Sequence, residues 1–203
     1  MSFHRLHALR MENDAAGYAM EEMRPRFDRI SGRHENGTAP RAVSAHGLFQ
    51  TPPELAERLV AAAGIQPGDR VLEPSAGLGR LLDALAPYRP GEVVAVEMSP
   101  DCARELYRRE GVRLLQRDFL SVSPGELGAF DAVVMNPPFH MRADVHHIQH
   151  AMKFLRPGGR LAALCMDTHH REVLRGSGLW ERIPGAFKAA GTSVSVILLT
   201  LTA

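Results

Sequence analysis

From Thr51 onward, short apolar runs bounded by turn residues alternate with helical spans, and this alternation restricts the chain more than any other feature. Pro52 and Pro53 open a helix that runs through Ala63 and closes at Gly64, because proline suits a first turn and glycine an exit. Strands are predicted at Arg70–Glu73, Glu92–Glu97, Val112–Arg117, Asp131–Asn136 and Arg160–Met166, with helices over Leu78–Leu85, Pro100–Glu110 and Ala143–Leu155. Val93-Val94-Ala95-Val96 is apolar without alternation, as a strand covered on both faces must be. The pattern specifies an α/β protein: a doubly wound, mostly parallel, Rossmann-like sheet with right-handed crossovers. Glu181–Ala186 and Val194–Leu201 read as two extended segments forming a C-terminal antiparallel hairpin that closes the sheet.

Residues 1–47 lack this regularity. Ser31 to Pro40 is a run of turn formers, so this part reads as a partly helical N-terminal arm suited to covering a cleft or meeting a partner or substrate, ahead of one domain over 48–203. Lys and Arg number 24 against 23 Asp and Glu, a net charge of +1, which excludes a binder that works through overall basicity. The late region is locally basic: residues 142–203 carry +4 and the first 141 carry −3, with Arg171 and Arg175 the candidates for meeting a polyanion. Cys102 and Cys165 are too few for a disulfide framework or a thiolate metal site, and both read as reduced thiols. No apolar run approaches the roughly 18–20 residues that span a bilayer, and Met1 to Arg10 lacks an apolar signal core. A cytoplasmic protein is expected.

In such a sheet ligands sit at the carboxyl ends of the strands, so the loops leaving strands carry the chemistry. The first strand runs into Glu73-Pro74-Ser75-Ala76-Gly77-Leu78-Gly79, where glycines let a ligand approach the backbone. The third glycine of the dinucleotide fingerprint is missing, since Leu82 stands there, and so is the Lys-Ser/Thr of a phosphate loop. Glu97, ending the second strand, can accept from both hydroxyls of a ribose. Asp118-Phe119, after the third, offers a carboxylate and a ring that suit a purine. Asn136-Pro137-Pro138-Phe139, after the fourth, is a stiff turn whose prolines cannot donate, so the Asn136 side-chain oxygen and the Pro137 carbonyl form a pair of acceptors facing one planar amine. His146 and His150 share a helix face, but a third ligand at suitable spacing is absent and no metal is expected.

Thr51-Pro52-Pro53, Leu72-Glu73-Pro74-Ser75-Ala76-Gly77-Leu78-Gly79, Val96-Glu97, Asp118-Phe119 and Asn136-Pro137-Pro138-Phe139, in that order, resemble the motifs of class I S-adenosylmethionine-dependent amino-methyltransferases. The likeness covers residues 48 to 201 and is nearest to N(6)-adenine DNA methyltransferases of gamma-like motif order and to small phage and prophage methyltransferases. It implies S-adenosyl-L-methionine as cofactor, S-adenosyl-L-homocysteine as product, and DNA adenine as substrate, with RNA adenine or a protein glutamine as alternatives; a non-catalytic cofactor-binding subunit is the reading from another class. The implied cofactor set is Thr51, Glu73, Ser75, Ala76, Gly77, Gly79, Glu97, Met98, Asp118, Phe119 and Asn136. Asn136, Pro137, Pro138 and Phe139 would form the catalytic turn, with His140, Arg171, Arg175 and Phe187 on the substrate side. The separate target-recognition domain usual in gamma-type DNA enzymes has no counterpart in the 203 residues.

Overall fold

The computed structural model describes residues 50–169, 178–188 and 194–203. Seven strands form one mixed sheet: β1 (Arg70–Glu73), β2 (Glu92–Glu97), β3 (Val112–Gln116), β4 (Phe130–Met135), β5 (Leu155–Met166), β6 (Leu179–Ile183) and β7 (Val196–Thr202), in the order β3-β2-β1-β4-β5-β7-β6. The first five run parallel, and β7 lies antiparallel between β5 and β6. The helices are α1 (Pro53–Ala62), α2 (Arg80–Leu85), α3 (Pro100–Leu106), α4 (Pro124–Leu127) and α5 (Ala143–Ala151).

Successive strand residues point to opposite faces, and each face has its own core. Val71, Val93 and Ala95 pack with Leu55, Leu59 and Val60 of α1 and Leu81, Leu82 and Leu85 of α2. Leu72, Val94 and Val96 pack on the other side with Phe119, Ile148 of α5 and Phe154. Each fully buried Leu, Val or Phe contributes roughly 1.5–3 kcal/mol, so two covered faces explain why these strands read as unbroken apolar runs.

Where the structure departs from sequence expectation, backbone geometry decides. The helix predicted from Leu78 begins at Arg80, because Gly79 (φ 82°) cannot join it. The helix predicted to Glu110 ends at Leu106. The one predicted to Leu155 stops at Ala151, and a 3-10 turn over Met152–Phe154 leads into β5. That strand begins at Leu155 instead of Arg160, because Leu155 pairs with Phe130 and the Gly158–Gly159 backbone bonds both backbone groups of Ala203. The C-terminal pairing is antiparallel as expected, but β6 ends at Ile183 because Pro184 has no N–H for the ladder, and β7 begins at Val196. The arm over residues 1–47 lies outside the described residues.

Candidate active site

Loops after β1, β2, β3 and β4 meet at the carboxyl edge around a cavity of ≈ 380 Å³, within the range of small-molecule sites. The turn after β1 is shaped by Gly77 (φ 54°) and Gly79, and Ala76 N donates to Val96 O at 3.1 Å, which lays the loop against β2. Glu97 then fastens it: Oε2 accepts from Gly77 N at 2.7 Å and Oε1 from Ser99 N at 2.6 Å. Such bonds stabilise a carboxylate, and each oxygen keeps a second lone pair for a ribose hydroxyl. Ser99 caps α3 by accepting from Cys102 N at 3.5 Å, so one carboxylate orders both the glycine loop and the next helix start.

Asp118 caps the turn Phe119–Ser121, its Oδ1 accepting from Leu120 N at 3.0 Å. The Phe119 ring borders the cavity but belongs mostly to the core, edge-on to His150 at 4.8 Å and 5.3 Å from Phe154. Met98, 69% exposed, supplies the accessible apolar surface at that end. At the other end Asn136 Nδ2 donates to Thr51 Oγ1 at 3.0 Å, tying the turn after β4 to the residues ahead of α1. Pro137, Pro138, Phe139 and His140 continue the wall. The backbone just beyond is left-handed at two non-glycine residues, Met141 (φ 49°) and Arg142 (φ 62°), an unusual conformation for side-chain-bearing residues.

Every residue of the cofactor set except Gly79 lines this cavity, as does the whole catalytic turn. Gly79 stands behind the wall, where a Cβ would come within 2.8 Å of the Arg109 guanidinium. Arg109 holds that place by bonding Asp83 Oδ1 at 2.5 Å and Leu78 O at 3.1 Å. Phe187 does not reach the cavity; fully buried, it stands edge-on to Phe139, centroids 6.0 Å apart. Arg171 and Arg175 lie outside the described residues.

Two buried groups on α5 stand outside the site set expected from the sequence. His147 lines the cavity, its Nδ1 3.3 Å from Ser75 Oγ, and burial lowers its pKa to about 4, so the imidazole is neutral at physiological pH. Asp144, fully buried, accepts from Met166 N at 2.8 Å and lies 2.9 Å from His169 Nδ1, pinning the start of α5 to the end of β5. Among the described residues no group of three His, Cys, Asp or Glu is placed to hold a metal, and no helix is long and apolar enough to cross a membrane.

The donor set fits an S-adenosyl nucleoside: acceptors for a ribose at Glu97, a carboxylate for an adenine amine at Asp118, apolar surface at Met98, and the buried carboxyl of Glu73 at the glycine loop. Residues 71–159 match the family described as a methyltransferase domain. Ribosomal RNA small subunit methyltransferase A of Thermosynechococcus vestitus is 38% identical over 87 residues, 41% of this chain and 32% of that protein. The rRNA N(6)-adenosine-methyltransferase metl-5 of Caenorhabditis elegans is 27% identical over 129 residues, 57% of this chain and 60% of that protein. Among solved structures, an RNA methyltransferase from Salinibacter ruber in complex with S-adenosyl-L-homocysteine superposes with a TM-score of 0.56 at 15% identity, covering 75% of this chain and 92% of that one. The chain spans only 38%, 55% and 31% of the first three curated relatives it matches. That family match runs from β1 into β5, whose carboxyl ends carry the cavity, and the seven-stranded sheet has the Rossmann-like methyltransferase fold.

Proposed function

We propose that the chain transfers a methyl group from S-adenosylmethionine to the exocyclic amino group of adenine in RNA. The observation that carries this reading is the bond between Asn136 Nδ2 and Thr51 Oγ1. By giving its nitrogen to Thr51, the Asn136 amide keeps its oxygen as an acceptor, and the carbonyl of Pro137 on the same cavity wall, followed by a second proline without an N–H, is the other. Two acceptors then meet the two protons of one planar amine. An aromatic amine is a poor nucleophile because its lone pair is delocalised, and acceptors that draw on both protons favour the pyramidal nitrogen that frees it.

The bound cofactor supplies an electrophilic methyl group on a sulfonium. The protein's own contribution is alignment and preorganised polar groups. Asn136 and Pro137 would hold the amine protons while the nitrogen takes the methyl group, the sulfonium being left as a neutral thioether, and one amine proton is lost to solvent afterwards. Phe139 stacks on the target ring, with Phe187 behind it fixing its tilt.

RNA comes first because relatives of the chain carry ribosomal RNA names, one of them specifying N(6)-adenosine. DNA adenine is the second reading, favoured by the order of motifs with Thr51-Pro52-Pro53 ahead of the glycine loop. Radiolabelled cofactor incubated with separate pools of RNA, DNA and protein distinguishes them. Label recovered as N(6)-methyladenosine from RNA is expected, and Asn136→Ala should lower turnover by about 100- to 1000-fold with little change in cofactor affinity. Label in DNA would move the substrate class, and label confined to a protein glutamine would sink the adenine chemistry.

A further inference from the structure

Two carboxyl groups end neighbouring strands in the cofactor cavity, and their surroundings are opposite. Glu97 on β2 accepts a backbone amide at each oxygen. Glu73 on β1 is 1% exposed, and its Oε2 is buried without a hydrogen-bond partner. A carboxylate in that position costs far more than the neutral acid, and Glu97 in the same cavity adds a like charge. The cation acting on Glu73 is Arg109, but its guanidinium is already bonded to Asp83 and to Leu78 O. Burial raises the Glu73 carboxyl well above its ordinary range; Arg109 opposes this, while Glu97 and Asp83 add to it. The other chargeable groups on the cavity wall are Arg80, Arg117, Asp118, His140 and His147; Arg117 is paired with Glu126 at 2.6 Å and His147 is neutral.

We infer that S-adenosylmethionine docking expels a proton from Glu73, which becomes the counter-charge of the ligand's cationic methionine end. The step balances simply: the carboxyl O–H proton goes to solvent, and the carboxylate left behind faces a fixed positive charge that replaces it. This inference rests on the cofactor assignment and is independent of which amine accepts the methyl group. Two cations can play the part, the sulfonium and the α-ammonium. The product S-adenosylhomocysteine keeps only the ammonium, and 5′-methylthioadenosine carries neither.

Calorimetry on the unmodified protein tests the inference directly. Phosphate takes up a proton with little heat and Tris with much, so the difference in binding heat between the two buffers counts protons released. Above the ordinary carboxylate range the proton count for S-adenosylmethionine should pass through a maximum of at most about one, and its affinity should rise with pH wherever a proton is released, by up to about tenfold per pH unit. Methylthioadenosine should release none. Release with S-adenosylhomocysteine equal to that of the cofactor assigns the ammonium as partner, and a much smaller release assigns the sulfonium. Glu73→Gln should abolish the release. A count of zero throughout, equal release with methylthioadenosine, or unchanged release in a folded Glu73→Gln protein would overturn the inference. Failure of all three ligands to bind would overturn the cofactor assignment itself.

Discussion

Replacing Thr51 by Val keeps the side-chain shape and deletes the oxygen that accepts from Asn136 Nδ2 at 3.0 Å. Thr51 is 5% exposed, so water does not readily take the lost partner's place. Removing an acceptor from a buried amide donor costs about 1–3 kcal/mol, and if that energy holds the amide oriented for catalysis, turnover should fall by roughly 5- to 150-fold. The assay is methyl transfer at saturating cofactor, with cofactor affinity measured separately by calorimetry. Because Thr51 also borders the cofactor cavity, Thr51→Ser serves as the control: it keeps Oγ and should retain most of the turnover. The decisive measurement is a double-mutant cycle with Asn136→Ala. If Thr51 acts through Asn136, adding Thr51→Val to Asn136→Ala should cost almost nothing further. Additive losses would refute the positioning role and leave Thr51 as a cofactor contact only.

Burial depresses His147 to about 4 in the folded protein, below its unfolded value of 6.5, so the unfolded chain takes the proton first. Its contribution to stability is therefore whole above about pH 6.5 and declines as the pH falls toward 4, by on the order of 3 kcal/mol; His147→Gln should flatten that part of a denaturation-versus-pH curve. Gly79→Ala places a Cβ at φ 82° and 2.8 Å from the Arg109 guanidinium, so chemical denaturation should show a loss of at least about 1–2 kcal/mol from the left-handed backbone alone. If Arg171 and Arg175 meet phosphates, replacing both should weaken nucleic-acid binding about equally across sequences and flatten its logarithmic salt dependence by roughly 0.7 per lost contact on a single strand or 0.9 on a duplex; an unaltered slope returns them to ordinary surface.

Most of the cavity was legible in the sequence because a parallel sheet assigns chemistry to the ends of its strands, and those ends were marked by unbroken apolar runs. Glu73, Glu97 and Asn136 each follow such a run, and Asp118 follows the more polar Val112–Arg117 strand, so naming the strands named the wall. The boundaries that slipped were set by pairing. Pro157-Gly158-Gly159 has the local chemistry of a turn, yet it lies within β5 because Phe130 and Ala203, distant in the chain, pair with Leu155 and with Gly158 and Gly159.

His147 escaped for a different reason. His146, His147 and His150 carry the same side chain on one helix, and the sequence singles out the i, i+4 pair. The rotation of α5 is fixed by Ile148 and Ala151 packing with Phe154 beneath the sheet, which leaves His146 exposed, points His150 Nε2 at Val122 O, 2.9 Å away, and brings His147 to Ser75. Glu73 and Glu97 pose the same problem in electrostatic form. Both are glutamates ending apolar strands, and what separates them is that two backbone amides reach one carboxylate while none reaches Oε2 of the other. Those amides belong to Gly77 and Ser99, residues whose placement depends on the glycine turn and the cap of α3. Which of the two carboxyl groups meets backbone amides depends on the path of two loops and has no signature at the glutamates themselves, so only the fold distinguishes them.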